Sequence, residues 1–167
     1  MSAIIESRRS IRKYQADKQV SKENLDSMMR AAMLAPSARN LRPWEFVAIT
    51  KRETLDEIAQ IMPNASMCKT ATAAIVVVAA PNDETSEAFF PQDCGAATQS
   101  ILLEAVSLGL GTCWCGVYPK GDRMAALAKL LNIQEPKMPF NVIAIGYPNE
   151  SPEQRGFFDE KIVTYIE

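Results

Sequence analysis

Apolar residues after Ser21 fall at helical spacing (Leu25, Met28, Met29, Ala32), with Ser21 placed to cap the helix and Pro36 to stop it. A shorter helix is predicted over Ala3 to Arg9, ahead of it. Trp44 to Thr50 reads as a strand. Thr50 and Glu53 then form a possible capping box for a helix carrying Leu55, Ile58, Ala59 and Met62. The run Ile75-Val76-Val77-Val78 marks Thr72 to Ala80 as a central strand buried on both faces. A longer helix is predicted over Asp93 to Leu108. It is apolar almost all round (Ala96, Ala97, Ile101, Leu102, Leu103, Ala105, Val106), more than a small monomer needs, and hints at a subunit interface. Gly109 and Gly111 end that helix, and Thr112 to Val117 forms a short strand. Asp122 is placed to cap a helix bearing Met124, Leu127, Leu130 and Leu131, and Val142 to Gly146 is another strand. Beyond the polar turn Ser151 to Gly156, Ile162 to Ile166 reads as a terminal strand able to pair with another chain. Interleaved helices and strands predict an α+β fold around one mixed sheet, with residues 1–167 as a single domain.

Composition narrows the function. With 167 residues, 47% hydrophobic and 23% charged, the chain suits one globular domain rather than a disordered one. A formal charge of -2 argues against nucleic acid as a partner. No apolar run approaches the ~20 residues of a membrane span. The N-terminus lacks the form of a signal peptide, so a cytoplasmic location is expected. Histidine is absent, which excludes imidazole bases, His-dependent triads and His-containing metal sites. Cys68, Cys94, Cys113 and Cys115 show no C-x-x-C spacing, so no metal site is expected and they read mostly as reduced core thiols. Catalysis by such a chain would draw on a bound organic cofactor.

Arg8-Arg9-Ser10-Ile11-Arg12 places three guanidiniums and a hydroxyl within five positions, suited either to an organic phosphate or simply to a solvated helix end. Neither a G-x-G-x-x-G fingerprint nor a P-loop is present. Cys113 and Cys115 point to one side of their strand and Trp114 to the other. Core packing competes with a thiol redox role for the cysteines, and with substrate stacking for Trp44 and Trp114. Met28, Met29 and Met33 read as core filler. Ser37 has no His or Lys partner and is not an acyl nucleophile.

Three further blocks accompany the arginine run: Ala35-Pro36-Ser37-Ala38-Arg39-Asn40-Leu41-Arg42-Pro43-Trp44, Gly109-Leu110-Gly111-Thr112-Cys113-Trp114-Cys115-Gly116, and Ala144-Ile145-Gly146-Tyr147-Pro148 ahead of Arg155. In this order they resemble the nitroreductase-like family of FMN-dependent oxidoreductases, in particular its shorter members, over almost the whole chain.

That resemblance implies a three-layer α/β/α sandwich and a homodimer with FMN at the interface and C-terminal strands exchanged. By position, Arg8, Arg9 and Ser10 match the phosphate and ribityl contacts, and Arg155 a late basic residue reaching the same phosphate. Arg12 matches a cation near the pyrimidine edge. Pro36, Ser37 and Asn40 match a loop supplied by the other subunit, while Cys115 and Gly116 match the backbone facing flavin N5. The implied activity passes electrons from NAD(P)H through flavin to a small acceptor, a nitroaromatic or quinone, by ping-pong turnover with no catalytic side chain. The alternative is an FMN-binding protein with a storage, sensing, flavin-modifying or reductive dehalogenating role. Asp93 and Gln99 fit the family's helix pattern, but Phe89-Phe90-Pro91 stands where many relatives have tryptophan, and Ile61 to Lys69 matches too loosely to assign.

Overall fold

In the computed structural model, which describes residues 2–153, 156 and 158–167, four strands form one sheet. They are β1 (Trp44–Ile49), β2 (Ala73–Ala79), β3 (Gly111–Gly116) and β4 (Met138–Gly146), in the order β1-β2-β4-β3. Every pairing among these strands is antiparallel. The parallel component expected of a mixed sheet is confined to a bridge between Ser10 and Thr112. Alternation along β2 divides the core: Ile75, Val77 and Ala79 face one side, Ala74, Val76 and Val78 the other. Both sides are buried, as a run of branched apolar residues requires.

On one face pack α2 (Lys22–Met33) and α4 (Glu84–Ser107); on the other lie α3 (Arg52–Ile61), α5 (Gly121–Leu131) and a 3-10 segment, Pro63–Lys69. The result is three layers. A short α1 (Ala3–Ser7) precedes them. Ser21 caps α2 through its side chain, as expected.

Other helix starts differ from expectation. The box of Thr50 and Glu53 does not form, since α3 begins after Lys51 without a side-chain cap. Asp122 lies inside the first turn of α5, where its carboxylate faces the helix dipole instead of capping it. Helix α4 starts nine residues before Asp93, nucleated by a reciprocal capping box between Asp83 and Ser86. It runs through Pro91, which lies beyond the first turn and so leaves the Glu87 carbonyl without its helical amide, a local cost that the rest of the 24-residue helix outweighs.

The C-terminal segment has a 3-10 turn, Glu160–Ile162, in place of a strand, and leaves Ile162, Tyr165 and Ile166 exposed. No strand edge of its own chain pairs with it among the described residues. Trp44 is buried as an anchor, whereas Trp114 is 39% exposed, 6.2 Å from Phe140 between ring centroids. Met28 lies in the core, but Met33 is half exposed at the end of α2. No helix among the described residues is long and apolar enough to cross a membrane.

Candidate functional site

The arginine run is seated by its apolar neighbours. Ile11 and Tyr14 turn inward and are buried, which leaves Ser10 and Arg12 facing outward. The Ile11 amide donates to Thr112 O at 2.8 Å, and the Tyr14 hydroxyl donates to Ile11 O at 2.6 Å and Ala144 O at 3.2 Å. Burial raises the Tyr14 phenol far above its ordinary range, so it serves these bonds in the neutral form. The segment is thus locked across the start of β3 and the end of β4.

Arg8, Arg9, Ser10 and Arg12 converge on a cleft of about 380 Å³ closed by Glu150, Pro152 and Glu153. Arg9 is spent largely on backbone: it donates to Arg8 O at 2.6 Å, Glu6 O at 2.7 Å and Glu153 O at 3.2 Å. Among the described residues, no ion pair engages Arg8, Arg9 or Arg12. Glu150 Oε1 accepts from the amides of Arg12 (2.5 Å) and Lys13 (3.1 Å), a bond no sequence motif announces. Arg155 lies outside the described residues.

Arg12 also lines a second hollow of about 500 Å³, with Lys13, Tyr14, Ser66, Met67, Lys69, Thr70 and Asn149. Part of the unassigned stretch between Ile61 and Lys69 therefore borders the site. Arg52 holds that stretch from α3, donating to Ala71 O at 2.8 Å and to Cys68 O while pairing with Asp56.

At the end of β3, the Gly116 carbonyl accepts from Asn64 Nδ2 at 3.0 Å and Arg123 Nη1 at 3.2 Å. Both donors escaped the sequence reading, since neither belongs to a recognisable spacing. A Cβ built on Gly116 would meet no atom within 4 Å among the described residues, so none of them demands a glycine here. Cys115 is buried, with its sulfur 3.5 Å from that of Met67. The Cys115 thiol donates to the Cys113 carbonyl at 3.6 Å, and the closeness of the two groups lowers the Cys113 thiol from its ordinary value while raising that of Cys115. Burial pushes Cys68 and Cys94 up to about 12. All four thiols are free and buried, in keeping with core packing. The described residues contain no metal-binding group of His, Cys, Asp and Glu.

Pro36, Ser37 and Asn40 occupy a separate loop between α2 and β1 and do not line the arginine cleft of their own chain. Within it, Ser37 Oγ accepts from Arg42 N at 3.0 Å, and Arg42 Nε donates to Asn40 Oδ1 at 2.9 Å. Arg39, Asn40 and Arg42 have left-handed backbones with φ of 50, 57 and 51°.

Residues 5–66 and 62–147 match the model of the Nitroreductase family. A protein of Methanothermobacter thermautotrophicus, named as a candidate NADH dehydrogenase/NAD(P)H nitroreductase, is 46% identical over 155 residues, covering 93% of this chain and 81% of its own. The crystal structure of a candidate NADH oxidase from Clostridium acetobutylicum is 40% identical with a TM-score of 0.91, covering 98% of this chain and 99% of that one. An FMN-dependent nitroreductase of Clostridium difficile R20291 is 32% identical with a TM-score of 0.90, covering 100% and 99% respectively. A matched family pattern over most of the chain, and relatives this similar over nearly their full lengths, place the protein in the Nitroreductase family.

Proposed function

We propose that this protein is an FMN-dependent oxidoreductase that passes electrons from NAD(P)H to a small acceptor, a nitroaromatic or quinone. The observation that carries the reading is the convergence of Arg8, Arg9, Ser10 and Arg12 on one cleft, with Arg12 shared by the adjoining hollow. Donor chemistry fits the cofactor. A phosphate monoester carries about -1.5 to -2 at neutral pH, and guanidiniums beside a hydroxyl are its natural partners. The amides of Arg12 and Lys13 already hold one carboxylate, so the segment presents anion-binding donors. The open space before Gly116 leaves room for a ring to approach the backbone.

In this reading Arg8 and Ser10 hold the phosphate and ribityl end, with Arg155 reaching the same end from the tail. Arg9 contributes charge while its donors brace the cleft wall. Arg12 favours negative charge at the pyrimidine edge, and the amides around Cys115 and Gly116 face N5. When bound, FMN supplies two-electron chemistry between a reduced nicotinamide and the acceptor. The protein then needs to bind, orient and exclude, which accords with the absence of histidine; no side chain is assigned a catalytic proton transfer. Alternate binding of nicotinamide and acceptor in one place gives ping-pong kinetics.

A homodimer accompanies this reading. It would bring the partner's Pro36–Asn40 loop to the cleft. It would also cover exposed apolar side chains on α1, α2 and the tail, namely Ile5, Met33, Leu34, Phe158, Tyr165 and Ile166. The test is absorption of the purified protein near 450 nm, roughly where flavins absorb, followed by stopped-flow reduction with NADH and NADPH. Rapid loss of the band with either supports oxidoreductase turnover. Slow loss with both favours a storage, sensing or flavin-modifying role, and a colourless protein that takes up no FMN overturns both readings.

A further inference from the structure

We propose that Asp93 is the positioning residue that fixes loop 36–42, and through it Ser37 and Asn40, for contact with a ligand; the role of the loop rests on the flavin reading above. Asp93 lies within α4, only 6% exposed, and no ion pair among the described residues compensates its charge. A buried carboxylate is costly unless it is hydrogen-bonded. Its Oδ1 accepts from the Ala38 amide at 3.0 Å, while Oδ2 is buried without a partner among the described residues. The carboxylate thus serves one described contact, and that contact is with the loop.

The loop needs such a tie. Its residues at positive φ are not glycine, so the conformation is held against its own backbone preference. The bonds of Ser37 and Asn40 to Arg42 are internal and can travel with the loop as a unit. Among the described residues, three bonds connect the loop region to α4. Arg39 reaches Thr85 at 3.4 Å on the exposed side, and the Cys94 thiol donates to Pro43 O at 3.7 Å where the loop enters β1. Asp93 supplies the buried, charge-assisted bond between these two, at the first amide of the 3-10 turn Ala38–Asn40. First-turn amides have no acceptor within their own helix, so a carboxylate arriving from another element caps the turn from outside.

Two substitutions separate this role from general stability. Asp93→Ala removes the acceptor. Ala38→Pro removes the donor, at the first position of a helical turn following an extended Ser37 (φ -144°, ψ 155°), where proline is sterically compatible. Hydrogen exchange of the Asn40 and Leu41 amides, measured on protein without added ligand, should quicken at least tenfold in both variants, while β2 and β4 keep their protection. Asp93→Asn keeps an acceptor and should restore exchange to within about threefold of the parent. Asp93→Ala made in the Ala38→Pro background should add little, as expected of two partners in one bond. FMN affinity should fall with loop protection across the series. Unchanged loop exchange in both single variants overturns the proposal, as does loosening spread evenly through the sheet. A parent protein that takes up no FMN, with these exchange effects intact, would overturn the flavin reading and leave the anchoring of the loop standing.

Discussion

Gly111 and Ile11 are in contact so close that a Cβ on the glycine would lie 2.8 Å from Ile11 Cβ and Cγ1. The missing side chain lets the segment before Arg12 lie against β3, with Ile11 bonded to Thr112. Gly111→Ala should therefore destabilise the fold by about 1–3 kcal/mol, the range for overpacking, and weaken FMN binding because Ser10 and Arg12 move with Ile11. Urea unfolding and flavin titration measure the two effects. Equal stability of variant and parent would show that Ile11 yields without cost.

Gly116 makes the opposite case. Its Cβ would meet nothing within 4 Å among the described residues, so Gly116→Ala should leave the unfolding free energy of the apoprotein within about 0.5 kcal/mol of the parent. FMN uptake should nevertheless fall sharply, since the added methyl enters the space assigned to the ring. Normal flavin binding by this variant would remove Gly116 from the site.

Arg8→Ala should weaken FMN binding by about 1.5–3 kcal/mol, the cost of losing a charge-assisted hydrogen bond. Riboflavin, which lacks the phosphate, should bind parent and variant alike. Equal loss for both ligands in fluorescence titration would place Arg8 elsewhere.

Deleting the residues after 155 removes Phe158, Ile162, Tyr165 and Ile166, which the single chain leaves exposed. Sedimentation should show loss of the dimer, and absorption loss of flavin. A soluble, yellow monomer would refute exchange of the tails.

Backbone and side-chain hydrogen bonds from Ser86 lower the pKa of Asp83 below the ordinary carboxylate value of 3.8. The charged form is the one favoured by folding, so its contribution is present above that value and is lost as pH falls through the depressed folded pKa. Asp83→Ala should lower the melting temperature at neutral pH, and the difference from the parent should shrink below pH 3.8. Thermal scans across that range decide it; a constant difference down to the lowest pH would separate the carboxylate charge from the start of α4.

Periodicity and residue type were enough to place α2, α3, α5, the four sheet strands and the arginine run, because each depends on neighbours within a turn or a pleat. Cys113 and Cys115 opposite Trp114 followed from the same alternation. Position in the sequence also marked Pro36, Ser37 and Asn40 as candidates, but their distance from the cleft within one chain emerges only in three dimensions. Only tertiary structure revealed Glu150 on the amides of Arg12 and Lys13, Asn64 and Arg123 on Gly116, and Asp93 on Ala38. These bonds join residues from seven to 138 positions apart, where no local pattern selects one partner over another. Folding also decided the antiparallel order of the sheet and the continuation of α4 through Pro91, since strand pairing and helix nucleation at Asp83 outweigh local breaker signals.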